Sequence, residues 1–220
     1  NVFYGNYSIS PINKKQIAYN KTTRSQRPQY IVIHDTGNKN KGANAEAHFN
    51  YYSSGDRQAS ADFFVDDKQI LQVNDYNTYY TWHCGDGKGK NGITNANSIG
   101  IEICVNSDGN YDIAFQNAVA LTKQLMTELN IPIDRVVRHY DASGKNCPAS
   151  MSANNWALWN TFKAQLIAST ELTSVNDIVW ELAHRGIVSD KGLWLEKLAA
   201  DSNAYWLARK TVKYLKEKNI

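Results

Sequence analysis

Hydrophobic and polar positions alternate in two different ways along this chain. Up to about residue 168, short runs of period two are interleaved with longer runs of helical period; beyond it only the helical period persists. In "RPQYIVIHDTGN", Pro28 forces an extended start, Ile31 and Ile33 alternate with Val32, and Gly37-Asn38 ends the run, which predicts a strand. "SIGIEICVN" predicts another, with Ile99, Ile101 and Ile103 on one face and Gly100, Glu102 and Cys104 on the other. "ADFFVDDKQILQV" reads as a hairpin turning at Asp-Asp-Lys, and "RVVRH" as a short strand. Helical spacing covers "NAEAHFNYYSSG", "YDIAFQNAVALTKQLMTELN" and "NNWALWNTFKAQLIAS", the second stopped by Ile131-Pro132. Residues 75–97, rich in Gly, Asn, Lys and aromatics, carry no period and read as a long loop, which in a compact domain is usually functional.

The pattern changes near residues 169–174, in "STELTS". After it, "SVNDIVWELAHRG", with a capping-box-like Ser174 and Asp177, "SDKGLWLEKLAAD" and "NAYWLARKTVKYLKEK" predict three helices and no strand. The chain therefore divides into a domain over 1–169 and a helical one over 170–220, the second close to the lower size limit for independent folding. Helical spacing suits Trp180, Trp194 and Trp206 as core of that appendage, with contact to a glycan, or dimerisation through an apolar face, as the other uses.

Composition narrows the function classes. With 42% hydrophobic and 20% charged residues the chain is an ordinary globular protein. A formal charge of +3 without a Lys/Arg block argues against nucleic acid as a partner. No apolar run approaches the ~18 residues of a membrane span, so membrane insertion is not expected. The start, "NVFYGNYSIS", shows neither the basic nor the apolar region of a signal peptide. Three cysteines cannot all pair within one chain, which speaks against a disulfide framework.

His34 and His139 each stand where an apolar strand meets a loop, and Cys147 follows His139 across a loop containing Gly144. Strand ends bring side chains to the rim of a sheet, where open sites form. Two neutral imidazoles and a thiolate are three good zinc donors, and three protein ligands leave the fourth position open, as catalytic sites do. Each residue alone has a plainer use, a satisfied structural histidine or a small buried cysteine. A structural zinc site, with His83 or Asp35 as fourth ligand, is a further alternative. Glu102, a carboxylate flanked by apolar residues, is costly unless paired or functional, and next to such a metal it would serve as general base. Lys145 is a cation close in sequence to two of these groups, a solvated loop lysine or an oxyanion stabiliser.

Taken together, "IVIHDTGN", "SIGIEICVN" and "VVRHYDASGKNCP" resemble the zinc-dependent N-acetylmuramoyl-L-alanine amidases of the type-2 amidase family, which includes phage endolysins and shares its fold with peptidoglycan-recognition proteins. The resemblance covers roughly residues 1–168. It implies an α/β fold with a mixed central β-sheet flanked by helices, to which this chain adds a small all-helical C-terminal domain. It further implies one catalytic Zn2+ on His34, His139 and Cys147, Glu102 as acid/base, and Lys145 near the scissile carbonyl. The substrate would be the amide between N-acetylmuramic acid and L-alanine in bacterial peptidoglycan. "TWHCGDG" resembles the loop lining the groove, so Trp82 and His83 are candidate substrate contacts, with a groove wall that makes no direct contact as the alternative, and Thr36 and Asp62 are further candidate contacts. Asp62 is a departure, since many relatives carry histidine there. A phage or prophage lysin held in the host cytoplasm until a membrane lesion admits it to the wall fits this reading. A bacterial autolysin, or a non-catalytic wall-binding module on the same fold, is the alternative.

Overall fold

The computed structural model describes residues 10–167 and 175–218. Ile9–Ile167 close on themselves as one compact unit, and the helices after Ala168 belong to a second. The first unit runs β1 (Ile12–Lys14), β2 (Lys21–Thr23), β3 (Tyr30–Asp35), α1 (Ala45–Ser53), β4 (Phe63–Val65), β5 (Ile70–Gln72), β6 (Tyr79–Thr81), β7 (Ser98–Ile103), α2 (Tyr111–Leu129), β8 (Val136–Arg138), α3 (His139–Ser143) and α4 (Ala153–Ile167). Six strands form one sheet in the order β1-β5-β4-β7-β3-β8, parallel throughout except for the β4–β5 hairpin, and β2 pairs with β6 in a separate antiparallel ribbon. This is the mixed sheet flanked by helices that the motifs implied.

Alternation along the central strands sends side chains to two unlike faces. On one, Ile31, Ile33, Ile99, Ile101 and Ile103 meet Phe115, Ala118 and Leu121 of α2 and Phe162 of α4 in the main core. Helix α2 begins at Asn110, whose side chain accepts from the Ile113 N–H, and ends at Asn130 in the left-handed region at φ 54°. On the other face, Phe64 and Leu71 pack under α1, and Val32 packs with Ala142 of α3 and with Cys84 and Ile93 of the long loop. That second face carries the chemistry. The hairpin turn is fixed by Asp66, whose Oδ1 accepts from the N–H groups of Lys68 and Gln69 while Oδ2 accepts from Ala45 N–H at the start of α1.

Three strands escape the sequence pattern. β1, β2 and β6 are three residues each, mostly polar or half exposed, and too short to show a period. β6 lies inside the segment expected to be irregular, which also holds three short 3-10 turns. The helix expected from residue 154 is right-handed only after Trp156, because Asn154, Asn155 and Trp156 all have positive φ.

The second unit consists of α5 (Val175–His184), α6 (Lys191–Ala200) and α7 (Ser202–Lys218) around Ile178, Val179, Leu182, Val188, Leu198 and Val212. Asp190 caps α6 by accepting from the Leu193 N–H. Trp194 packs partly against this core, but Trp206 is 55% exposed and corrects the expectation that it is a core residue. It lies on the outer side of α7 with Leu207 and Tyr214, because the inner side is taken by Ala208 and Val212. The domain boundary near 169–174, the Ser174–Asp177 cap and the Trp180 side chain fall outside what is described. Among the described residues no helix is long and apolar enough to cross a membrane.

Candidate metal centre and active site

Three chain segments meet at one end of the sheet. His34 on β3 sits directly opposite Glu102 on the parallel β7, so both side chains rise from the face that lies under α1 and α3. On the other side of β3, β8 delivers His139 as the first residue of α3. Helix α3 stops after one turn at Gly144, whose φ of 86° favours glycine. The chain then doubles back, and the Cys147 carbonyl accepts from the Tyr140 N–H at 2.9 Å, which returns the cysteine to its histidine. One ligand atom from each of His34, His139 and Cys147 lies within 4.8 Å of the others. His34 Nδ1 is 3.8 Å from Cys147 Sγ and 3.8 Å from Glu102 Oε1.

Partners on the far side of each ring tell which atoms are available. His139 Nε2 donates to Asp86 Oδ1 at 2.7 Å, while its Nδ1 is buried without a partner. His34 Nε2 is 3.0 Å from His83 Nδ1, leaving Nδ1 toward Cys147 and Glu102. Glu102 Oε2 is a second buried atom of the site without a partner. Buried orphaned acceptors are expensive, and a cation among these atoms would satisfy them. The donors, two imidazoles and one thiol, fit a borderline-soft metal ion. Among the described residues no fourth protein ligand joins them: His83 is engaged on both nitrogens, by His34 and by Ser98 Oγ, and Asp35 Oδ2 accepts from Ser150 N–H.

Electrostatics point the same way. Burial pushes the Cys147 thiol up to about 12, with Glu102 adding to the effect. Burial, then Asp35, raises Glu102 to about 8 against the pull of Lys145. His34 is driven well below the ordinary histidine value by burial and by His83, His139 and Lys145, and His83 falls to about 3 for want of solvent and beside His139. Cys147, Glu102, His34 and His83 thus favour their neutral forms when no cation is near. A dication reverses this for the thiol and the carboxyl and leaves the imidazoles as bare donors.

The remaining expected site residues divide. Lys145 is exposed on the α3–α4 loop, and its charge acts on His34, Glu102 and Cys147. Thr36 follows β3, half buried, with its hydroxyl unpartnered. Trp82 is half buried and donates from Nε1 to Thr22 Oγ1. Two of the candidate substrate contacts are buried. Asp62 is completely buried and accepts from Asn74 Nδ2, Thr81 Oγ1 and Gly100 N–H, tying β4, β6 and β7 together behind the site. His83 is buried against His34 rather than open to a groove. Sequence reasoning missed Asp86; the signal was a carboxylate three residues after His83 in a glycine-rich loop.

The loop carrying Asp86 is braced against α3. A Cβ on Gly87 would lie 1.9 Å from the Ala142 carbonyl oxygen, and Asn91 Nδ2 donates to the Asp141 carbonyl at 2.8 Å. With the geometry established, the family follows from the match of residues 24–150 to the model described as N-acetylmuramoyl-L-alanine amidase. The chain belongs to that family. Among amidases of Bacillus subtilis (strain 168), CwlH is 42% identical over 145 residues, 65% of this chain and 54% of CwlH. XlyA is 43% identical over 147 residues, 67% of this chain and 47% of XlyA. The chain thus spans about half the length of the curated amidases it matches. The solved catalytic domain of XlyA superposes with a TM-score of 0.63 at 40% identity, covering 71% of this chain and 99% of that domain. His34, His139, Cys147, Glu102 and Lys145 all lie within the segment matched by the amidase family.

Proposed function

We propose that the chain is a zinc-dependent N-acetylmuramoyl-L-alanine amidase that hydrolyses the amide between the lactyl group of N-acetylmuramic acid and L-alanine of the stem peptide. The observation that carries this reading is the convergence of His34, His139 and Cys147 within 4.8 Å, beside the half-buried carboxyl of Glu102 on the neighbouring strand, inside the family-matched segment. Bound by those three residues, zinc would supply Lewis-acid polarisation of the carbonyl and activation of water. Glu102, opposite His34 on the neighbouring strand, takes the proton of the attacking water and gives it to the departing alanine nitrogen. Lys145 offers a cation to the oxygen that becomes negative as the carbonyl turns tetrahedral. The two histidines, held by His83 and Asp86, keep their rings oriented through the reaction.

A mutant endolysin from Bacillus subtilis is 41% identical to this chain with a TM-score of 0.64, which supports reading this chain as a phage or prophage lysin. The C-terminal helices are assigned to wall contact. Helix α7 directs Trp206, Leu207 and Tyr214 outward with Lys210 Nζ 4.0 Å over the Trp206 ring, and rings combined with cations suit a glycan bearing carboxylates. Mass spectrometry of digested peptidoglycan tests the reaction: released stem peptides with a free N-terminal alanine, together with glycan strands carrying free lactyl carboxylates, are expected, and cleavage of any other bond refutes it. Glu102→Ala should retain zinc and lose wall lysis by orders of magnitude, whereas Cys147→Ser should lose zinc. Truncation after Ser169 should leave hydrolysis of soluble fragments intact and weaken sedimentation with walls. An unchanged sedimentation combined with loss of a dimer would reassign the helices to self-association.

A further inference from the structure

We infer that His83 is a positioning residue, the middle of a hydrogen-bond relay that fixes the proton of His34 on Nε2 and thereby aims the Nδ1 lone pair at the metal position. The inference rests on the proposed role of His34 as a ligand, and its argument is one of counting protons. Ser98 Oγ is within bonding distance of the Thr94 carbonyl, and a carbonyl can only accept, so the single hydroxyl proton of Ser98 points there. Toward His83 Nε2, 3.0 Å away, Ser98 Oγ can then only accept, and His83 carries its proton on Nε2. That leaves His83 Nδ1 with a lone pair, 3.0 Å from His34 Nε2, which must be the donor. The remaining nitrogen of His34 is bare, and it is the one that faces Cys147 and Glu102.

The surrounding structure is shaped around this relay. The two rings lie with planes at 86° and centroids 5.2 Å apart, a separation that accommodates a nitrogen-to-nitrogen hydrogen bond of 3.0 Å between them. Gly100 makes room for it, since a Cβ there would lie 2.6 Å from His83 Cγ. Asn95 Oδ1 accepts from the backbone N–H groups of His83 and Cys84 and holds the segment in place. One face of β7 therefore supplies three successive needs at alternate positions: Ser98 orients His83, Gly100 admits its ring, and Glu102 adjoins His34. His83 touches neither substrate nor reacting atoms in this scheme. It acts through His34, in the way outer partners orient metal-bound imidazoles generally.

Two measurements on the full chain test this. Long-range proton–nitrogen NMR of the histidine rings, recorded in chelator, reads the tautomer without any metal. His34 should carry its proton on Nε2, and Ser98→Ala should populate the other tautomer; a wild-type His34 protonated on Nδ1 overturns the relay. Competition with a chromophoric chelator then reads zinc affinity. His83→Phe should weaken it by roughly 10- to 100-fold, and His83→Gln, which keeps one acceptor and one donor, should recover most of the loss. Affinity within twofold of wild type for His83→Phe overturns the proposal. Should His83→Phe fail to fold, Ser98→Ala removes only one oxygen and carries both readouts. Because the tautomer is measured metal-free, a wild-type protein that binds no zinc would sink the metal reading while the NMR result still judges the relay.

Discussion

Glu102 offers a quantitative check on how dry the site is. In protein stripped of metal by a chelator, burial and Asp35 raise this carboxyl from its ordinary 4.5 to about 8. A carboxyl whose folded value exceeds its unfolded one binds its proton more tightly in the native state. Its stabilising contribution is complete below about 4.5 and is lost as the pH rises through about 8. At about 1.4 kcal/mol per pH unit, the full loss is at most about 5 kcal/mol. Because 19% of the side chain is exposed, water recovers part of the cost, and roughly 2–4 kcal/mol is expected. Glu102→Gln removes the titration while keeping the shape of the neutral acid. Urea unfolding in chelator at pH 5 to 9 should show the two proteins nearly equal at pH 5 and the variant increasingly more stable up to about pH 8.5. Added zinc should shrink the difference, because a cation beside the carboxylate stabilises its charged form. A difference that stays constant from pH 5 to 9 would refute the claim that Glu102 is desolvated.

Zinc binding should release at least one proton at neutral pH, because the Cys147 thiol, pushed up to about 12, must ionise to ligate. Apparent affinity should therefore climb about tenfold per pH unit between pH 6 and 7.5, and a flat profile in buffered competition titrations would exclude the thiolate. Asp86→Ala removes the acceptor of His139 Nε2 and should weaken zinc roughly tenfold or more while barely moving the thermal midpoint, since the carboxylate is half exposed; calorimetry with a metal titration separates the two effects. Asp62→Ala strands three buried donors, from Asn74, Thr81 and Gly100, and should cost about 3 kcal/mol or more in urea unfolding. A loss below about 1 kcal/mol would remove Asp62 from its structural role.

Much of the frame was legible because it is local. β3, β7, the β4–β5 hairpin and α2 each announce themselves through the period of their own apolar residues and the turn or cap that ends them. β1, β2 and β6 do not, because a three-residue polar strand owes its existence to a partner far along the chain. The same distinction separates Trp194 from Trp206. Both occur at helical spacing, and only the packing of α5 to α7 decides which ring is covered.

For the site, the sequence by itself determined the chemical inventory: two histidines at strand ends, a cysteine in the following loop and a carboxyl flanked by apolar strand residues, in motifs that resemble one family. The loop through Gly144 was also readable, since a glycine is what a reversal between His139 and Cys147 needs. Only the tertiary structure decided which nitrogen of each histidine faces the centre, that Asp62 is enclosed by Asn74, Thr81 and Gly100, and that His83 is buried against His34. The physical reason is that a residue type states which hydrogen bonds a side chain can make, while the partner that makes each one arrives from another strand. His83 meets His34 across 49 residues and Asp86 meets His139 across 53, distances over which no sequence period carries information.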